Sequence, residues 1–375
     1  MRDGLDDVRA LLSGVLPDVR LSADRDLGGS DRSRVSRVHA RWPDGAESSV
    51  VVKQFLAAGE GWAREAAALA TLPDEAPVPR LIAEGAAPPV VVATDLGAGS
   101  SVADALLGDD RDAAVEAVLS WAEAMARLHR SGLGRRDRFR AELALRAGDL
   151  PVVDHVMPAV VDEAALLLER RCDELGVAAP RGAYSELRQL ARDLGAGENA
   201  SISPSDACPD DNVQTADGLM IVDFEGAQWR HVAWDLAYLS VPWPTCWCAW
   251  RMPADVSERA LERYRHTIED ALPYVRTARF RTDVAAAALG WAMVSAAWLL
   301  PEALDDDPPP RDPAKVMPRR RALILHRLDV ARRSAAESAP ARLAGQLRSV
   351  LLERWGEPPL GYAPAFDSGH AEPGS

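Results

Sequence analysis

At 375 residues the chain can hold two or three domains or one two-lobed enzyme, and its 47% hydrophobic content is ample for a core. A net charge of −14 argues against general binding to nucleic acid or to an anionic membrane, and is compatible with a cationic substrate or with a dispersed soluble surface. The four cysteines, Cys172, Cys208, Cys246 and Cys248, show no paired zinc spacing, so reduced thiols in a cytoplasmic protein are expected.

The charged start, Met1 to Asp7, leads into no long apolar run and does not read as a secretory signal. Leu5, Val8, Leu11, Leu12, Val15 and Leu16 recur at helical spacing and predict a leading amphipathic helix. Residues 19–27, Val35 to Trp42 and Ser48 to Phe55 then read as an antiparallel three-stranded meander. Its turns are Gly28-Gly29-Ser30 and Pro43-Asp44-Gly45. Trp62 to Leu69 is Ala-rich and strongly helix-forming. Two more strands follow at 78–83 and 90–94, the second running into Asp95-Leu96-Gly97-Ala98-Gly99. Ser101 to Asp104 opens a helix with a weak capping box.

From 112 onward the pattern is helical: 113–129, 140–148, 159–176 and 184–194. Residues 202–225 interrupt it. A polar loop carries Asp206, with Asp211 and Asn212 five and six residues later. Leu219 to Val222 is a short strand ending on Asp223, and Asp217-Gly218 is a hairpin-type turn. Loop, strand, turn and strand bring several oxygen ligands toward one small volume, which suits Mg²⁺. Beyond it, Trp243, Trp247 and Trp250 read either as core or as a pocket wall for a cationic substrate. Helices return at 256–300 and 318–355. Val284 to Leu300 is barely long enough to span a membrane and is expected as a buried helix. Residues 367–375 read as a disordered tail.

Ile221-Val222-Asp223-Phe224-Glu225 and Ala233-Trp234-Asp235-Leu236-Ala237 resemble motifs of the aminoglycoside phosphotransferase and choline-kinase-like family, which has the protein-kinase-like fold. The resemblance spans about residues 19–300 in element order. It implies an α+β, two-lobed chain, with a nucleotide-binding lobe at 1–95 and a helical lobe at 96–366. It implies that Lys53, held by Glu65 or by Glu60, contacts nucleotide phosphates beside Ser30, and that Asp95 and Leu96 form the hinge that meets the base. Asp206 is then the catalytic acid–base group. Asp223 holds Mg²⁺ with Asp211 or Asn212, of which the five-residue spacing favours Asp211. Asp235 takes a structural role, as a helix cap or a brace of the loop, and His129 lies at a helix end near the core.

The chain departs from the family at Pro204-Ser205-Asp206, where His-Gly-Asp is usual, and at Asp211, where Asn is usual. The missing His removes a brace from the loop. The expected function is transfer of the γ-phosphate of ATP or GTP to a hydroxyl of a small molecule, with no nucleic-acid or membrane partner. A nucleotide-binding pseudokinase and a helical binding protein without nucleotide stand as alternatives.

Overall fold

The structure, a computed structural model, describes residues 9–56, 59–307 and 317–367. Most of the predicted leading helix lies outside them; its described end is helical only through residue 12, with Gly14 and Pro17 just beyond. Leu11 and Leu12 are buried against the sheet that follows.

Five strands form one antiparallel sheet: β1 Arg20–Gly29, β2 Ser33–Arg41, β3 Glu47–Phe55, β4 Leu81–Ala86 and β5 Pro89–Thr94, in the order β1-β2-β3-β5-β4. Side chains alternate between faces along a strand. In β3, Val50 and Val52 therefore enter one apolar cluster with Val38, Val90 and Val92. Val51 and Lys53 point the other way, into a cleft. The helix Glu60–Thr71 packs beside the sheet through Ala63, Ala66, Ala67 and Ala68, whose small side chains permit a close approach. Trp62 anchors it by donating from its indole Nε1 to Val90 O, 3.1 Å away.

The chain leaves β5 at Thr94, crosses at residues 95–100 and enters a helical body. That crossing is closely fitted. Gln214 N donates to Ser100 O at 2.9 Å, and a Cβ on Gly99 would lie 2.1 Å from Gln214 O. Gly97 differs: its φ is +81°, with nothing near a would-be Cβ.

Ser101 is a complete capping box with Asp104 for the helix Val102–Leu107. Arg111–Gly132, Arg136–Ala147, Met157–Glu174 and Ala183–Asp193 follow. Two hairpin-like pairs then carry the loop region: β6 Ala200–Ser203 with β9 Gln228–His231, and β7 Asn212–Thr215 with β8 Gly218–Ile221. The helices Ala254–Ile268, Ala278–Asp305, Arg320–Ser334 and Ala339–Trp355 complete the body. Ala278–Asp305 is long and apolar enough to cross a membrane, yet 72% of its apolar window is buried within the protein. It packs on Trp234 and on the helices Met157–Glu174 and Arg320–Ser334. The architecture is α+β, a small antiparallel sheet joined to a large helical body. Asp367, expected as the first residue of the tail, instead ends a short helix, Pro364–Asp367; residues 368–375 lie outside the described residues.

Gly99→Ala is expected to lower stability by about 2–3 kcal/mol, because backbone must move to admit the methyl group. Gly97→Ala should cost only about 1 kcal/mol, from its positive φ. Urea denaturation of both variants checks the difference.

Candidate active site

A cleft of about 580 Å³ opens between the sheet and the helical body, and Ser30, Lys53, Glu65, Asp95, Leu96, Asp211 and Asp223 all line it. Asp206 sits on the loop beyond it, within 4.8 Å of Asp211 when their carboxylate oxygens are compared.

Lys53 is the centre of the cleft. Its Nζ donates to Glu65 Oε2 at 2.6 Å and Asp223 Oδ1 at 2.8 Å, with Glu225 Oε2 at 3.2 Å. Burial acts to lower the pKa of the ammonium group, but Glu65 and Asp223 outweigh it and hold the pKa above its ordinary value. Burial pushes Glu65 up to about 7 even beside this cation, because Asp223 and Glu225 compete for the same charge. Glu60, the other possible partner for Lys53, pairs instead with Arg64 one turn along its helix, at 3.1 Å.

The roof and hinge follow from local chemistry. Ser30 closes the β1–β2 turn, its N–H donating to Ser33 O and its Oγ accepting from Arg32 N. Gly29 has φ +142°, and a Cβ there would lie 2.2 Å from Ser33 O. Arg32 reaches Glu225 at 2.6 Å across the cleft mouth. At the hinge the Asp95 carboxylate accepts from Ser49 Oγ (2.5 Å) and Gly97 N (2.9 Å) and forms an ion pair with the Arg37 guanidinium, whose Nε lies 2.7 Å away. Burial pushes its pKa up, but these donors prevail and lower it. The Asp95 side chain thus ties the hinge to β2 and β3, leaving backbone and Leu96 to face the cleft. Val35, Val51, Val91 and Val213 supply apolar walls.

The loop from β6 to β7 holds the acids. Asp211 and Asn212 divide as chain geometry dictates. Asn212 is the first residue of β7 and is buried; its Oδ1 accepts from Val102 N at 2.9 Å, and its Nδ2 donates to Pro209 O at 3.0 Å and Cys208 O at 3.3 Å. Every polar atom of the Asn212 amide is committed to backbone, so it braces the loop and is withdrawn as a metal ligand. Asp211 faces the cleft instead. Burial, and then Asp210, Asp223 and Asp206, push its carboxyl up to about 10. Oxygen donors crowded in this way suit a hard divalent cation. Asp223 completes the set from the end of β8, in the left-handed region at φ +63°.

The absent His is replaced by a different brace. Ser205 also adopts a left-handed conformation, at φ +73°. Its carbonyl accepts from Arg230 (3.0 Å) and from Tyr238 Oη (3.1 Å), and its N–H donates to Ser203 Oγ (2.9 Å). Arg230 forms a buried ion pair with Asp235, which also accepts from Ser203 Oγ at 2.8 Å and bonds His129 Nε2 at 3.0 Å. Burial opposes its ionisation, yet Arg230 and His129 hold Asp235 down at about 2. Asp235 lies within a short helix, Ala233–Leu236, whose N-cap is Val232; it is a brace and not a cap. His129 is buried and also bonds Tyr264 Oη at 2.9 Å.

Sequence reasoning missed Thr245. Its hydroxyl donates to Asp206 Oδ1 at 2.6 Å and contacts Tyr238 Oη at 2.8 Å, so it orients the loop acid. No motif marks a lone Thr 39 residues downstream. The tryptophans do not line the cleft. Trp243 is fully buried, edge-on to Trp121 at 5.3 Å, while Trp247 and Trp250 are partly buried against the same core.

By sequence, no family profile and no curated protein matches the chain. Solved structures do. An ethanolamine kinase of Plasmodium vivax aligns with a TM-score of 0.52 at 10% identity, over 84% of this chain and 82% of that one. A choline/ethanolamine kinase family protein of Mesorhizobium loti aligns with a TM-score of 0.50 at 17% identity, over 92% of this chain and 99% of that one. A macrolide 2′-phosphotransferase of Brachybacterium faecium aligns at 0.47 and 18% identity, over 80% and 94%. The fold is therefore the protein-kinase-like fold of the choline and ethanolamine kinases, as the motifs implied.

Two outcomes test the site. Asp235→Ala leaves Arg230 buried without its partner and should cost about 3–5 kcal/mol, read by chemical denaturation. The second concerns pH. The folded protein keeps a proton on Asp211 that the unfolded chain releases near 3.8. The folded state then binds more protons than the unfolded state, so metal-free stability should fall as pH rises through that window toward about 10. Saturating Mg²⁺ should flatten the fall by replacing the proton. Melting curves at several pH values, with and without Mg²⁺, read the effect.

Proposed function

We propose that the chain is a small-molecule kinase that uses Mg²⁺ and ATP or GTP to phosphorylate a hydroxyl group. The observation that carries this reading is Lys53, fixed between Glu65 and Asp223 at 2.6 and 2.8 Å on the wall of the cleft. Phosphoryl transfer asks a protein mainly for positioning and neutralisation of charge. A buried ammonium ion anchored from a strand and a helix provides both for nucleotide phosphates.

The roles then divide by geometry. Lys53 binds phosphate oxygens and is kept in place by Glu65. The Gly28–Ser30 turn, through Gly29 and Ser30, covers them. Residues 95–96 and the valine walls receive the base. Asp211 and Asp223 hold Mg²⁺, which supplies charge neutralisation at the phosphates when bound. Asp206, oriented by Thr245 Oγ1 at 2.6 Å, accepts the proton of the attacking hydroxyl. Asp211 in place of an amide adds a negative charge, so the reaction should depend steeply on Mg²⁺.

The acceptor is proposed as a small hydroxylated metabolite, and the alcohols of the similar kinases, choline and ethanolamine, are the first to try, with aminoglycosides beside them. A cytoplasmic location, and an organisation into a nucleotide-binding lobe at 1–95 and a catalytic lobe from 96, belong to the same proposal.

Millimolar Mg-ATP or Mg-GTP is expected to raise the melting temperature by mass-action linkage. A screen for γ-phosphate transfer to hydroxylated metabolites should then find turnover. Asp206→Asn should lower that turnover by about 10²–10⁴-fold while leaving the nucleotide-induced melting shift in place. A shift without turnover on any acceptor would favour the pseudokinase reading. No shift with either nucleotide would remove both.

A further inference from the structure

Three of the four cysteines gather behind the catalytic loop. Cys208 lies on the loop between Asp206 and Asp211, and Cys246 and Cys248 lie on the turn that carries Thr245. Cys208 Sγ, Cys246 Sγ and an Asp210 carboxylate oxygen are all within 4.8 Å of one another. Cys246 Sγ is 3.4 Å from Asp210 Oδ1 and 3.1 Å from Cys248 Sγ. The three thiols are 5%, 9% and 2% exposed, so Asp210, which is partly exposed, forms the open side.

We propose that Cys208, Asp210 and Cys246, with Cys248 as the fourth donor, bind a soft divalent cation of the zinc type. Donors around a tetrahedral ion with metal–sulfur bonds near 2.3 Å stand about 3.8 Å apart. Cys208, Asp210 and Cys246 stand within 4.8 Å of one another, with 3.4 Å between Cys246 and Asp210, so small side-chain movements close these three around an ion; Cys248, 3.1 Å from Cys246, joins by turning toward it. The carboxylate is already oriented for the purpose. Trp247 Nε1 donates to Asp210 Oδ2 at 2.6 Å, leaving Oδ1 turned toward Cys246. An outer hydrogen bond that fixes a ligand in this way is typical of a built metal site. Thiol donors select against Mg²⁺, which requires oxygen, so this site and the Asp211–Asp223 pair take different ions although they share one loop.

On binding, the coordinating sulfurs become thiolates, their protons pass to solvent, and no oxidant or reductant is required. The bound ion joins the Asp206 loop to the Thr245 turn across 36–40 residues of sequence. Thr245 already spans the same gap, with Oγ1 at 2.6 Å from Asp206 and 3.9 Å from Cys208 Sγ. The ion would fix the acid that the loop presents.

The test uses the full chain, reduced, stripped of metal by chelation and then freed of chelator. Titration with Co²⁺ should give a thiolate-to-cobalt charge-transfer band and tetrahedral visible bands that saturate at one equivalent. Zn²⁺ should abolish them and millimolar Mg²⁺ should not. Cys208→Ser and Cys246→Ser should lose the charge-transfer band, and Cys172→Ser, at a buried thiol far along the chain, should keep it. Asp210→Asn, a partly exposed position that should fold without difficulty, is expected to weaken cobalt binding by at least about tenfold. If the reduced wild-type chain gives no saturable thiolate band, the proposal fails. It fails equally if Mg²⁺ displaces the cobalt, or if folded Cys246→Ser or Asp210→Asn binds as the wild type does. The readout needs no nucleotide, so its failure leaves the proposed phosphotransfer untouched.

Discussion

A single buried ammonium ion ties the two parts of this protein together. Lys53 comes from the sheet, Glu65 from the helix packed beside it, and Asp223 and Glu225 from the strand end of the helical body. Each contact has a prerequisite elsewhere. The alternation of β3 must place Lys53 opposite Val50 and Val52. The alanine face of Glu60–Thr71 must let its helix approach closely enough for Glu65 to reach. The left-handed turn at Asp223 must aim a carboxylate back across the cleft. A buried charge without partners is costly, so the ion pairs and the packing that positions them stand or fall together.

Asp235 plays a comparable part on the other side of the Asp206 loop. It is an acid buried completely, and it stays ionised because Arg230 and His129 face it. Through Arg230 and Ser203 it fixes the backbone at Ser205, immediately before Asp206. The protein therefore does not need the usual His at the loop's start. A guanidinium group drawn from β9 and a phenol from Tyr238 hold the Ser205 carbonyl instead. Loop rigidity has been kept by different residues, which is possible because the loop requires donors at defined points and not a particular side chain.

The same loop concentrates negative charge. Asp206, Asp210 and Asp223 all act on the Asp211 carboxyl. Lys53 is paired with Asp223, but among the described residues no cation faces Asp211 as Arg230 faces Asp235. Asp210 turns away toward Trp247 and Cys246, while Asp211 turns into the cleft. The two residues sit in the turn just before β7, closed by Asp211 N donating to Cys208 O at 3.2 Å, and that turn separates an oxygen-rich side from a sulfur-rich one.

Much of this was legible in the sequence because it depends on local periodicity and spacing. The meander of β1 to β3, the helix around Glu65, the hairpin at Asp217-Gly218 and the strand ending on Asp223 are short-range patterns. Lys53, Asp206, Asp211 and Asp223 could be picked out by their offsets within those patterns. Spacing alone left Asn212 as a second metal ligand, and only its burial beneath Val102 N and the carbonyls of Cys208 and Pro209 shows otherwise. Arg230 and Tyr238 as braces, Thr245 beside Asp206, and Cys208 beside Cys246 carry no local signature. Each pair is joined by the return of the chain in and after β9, across 25–39 residues. The sequence by itself determined which residues lie on which strand, helix or turn, since the backbone geometry that sets those periods acts over a few residues. Tertiary structure decided which side chains share a charge or a hydrogen bond, since those interactions act through space and depend on burial that no linear spacing encodes.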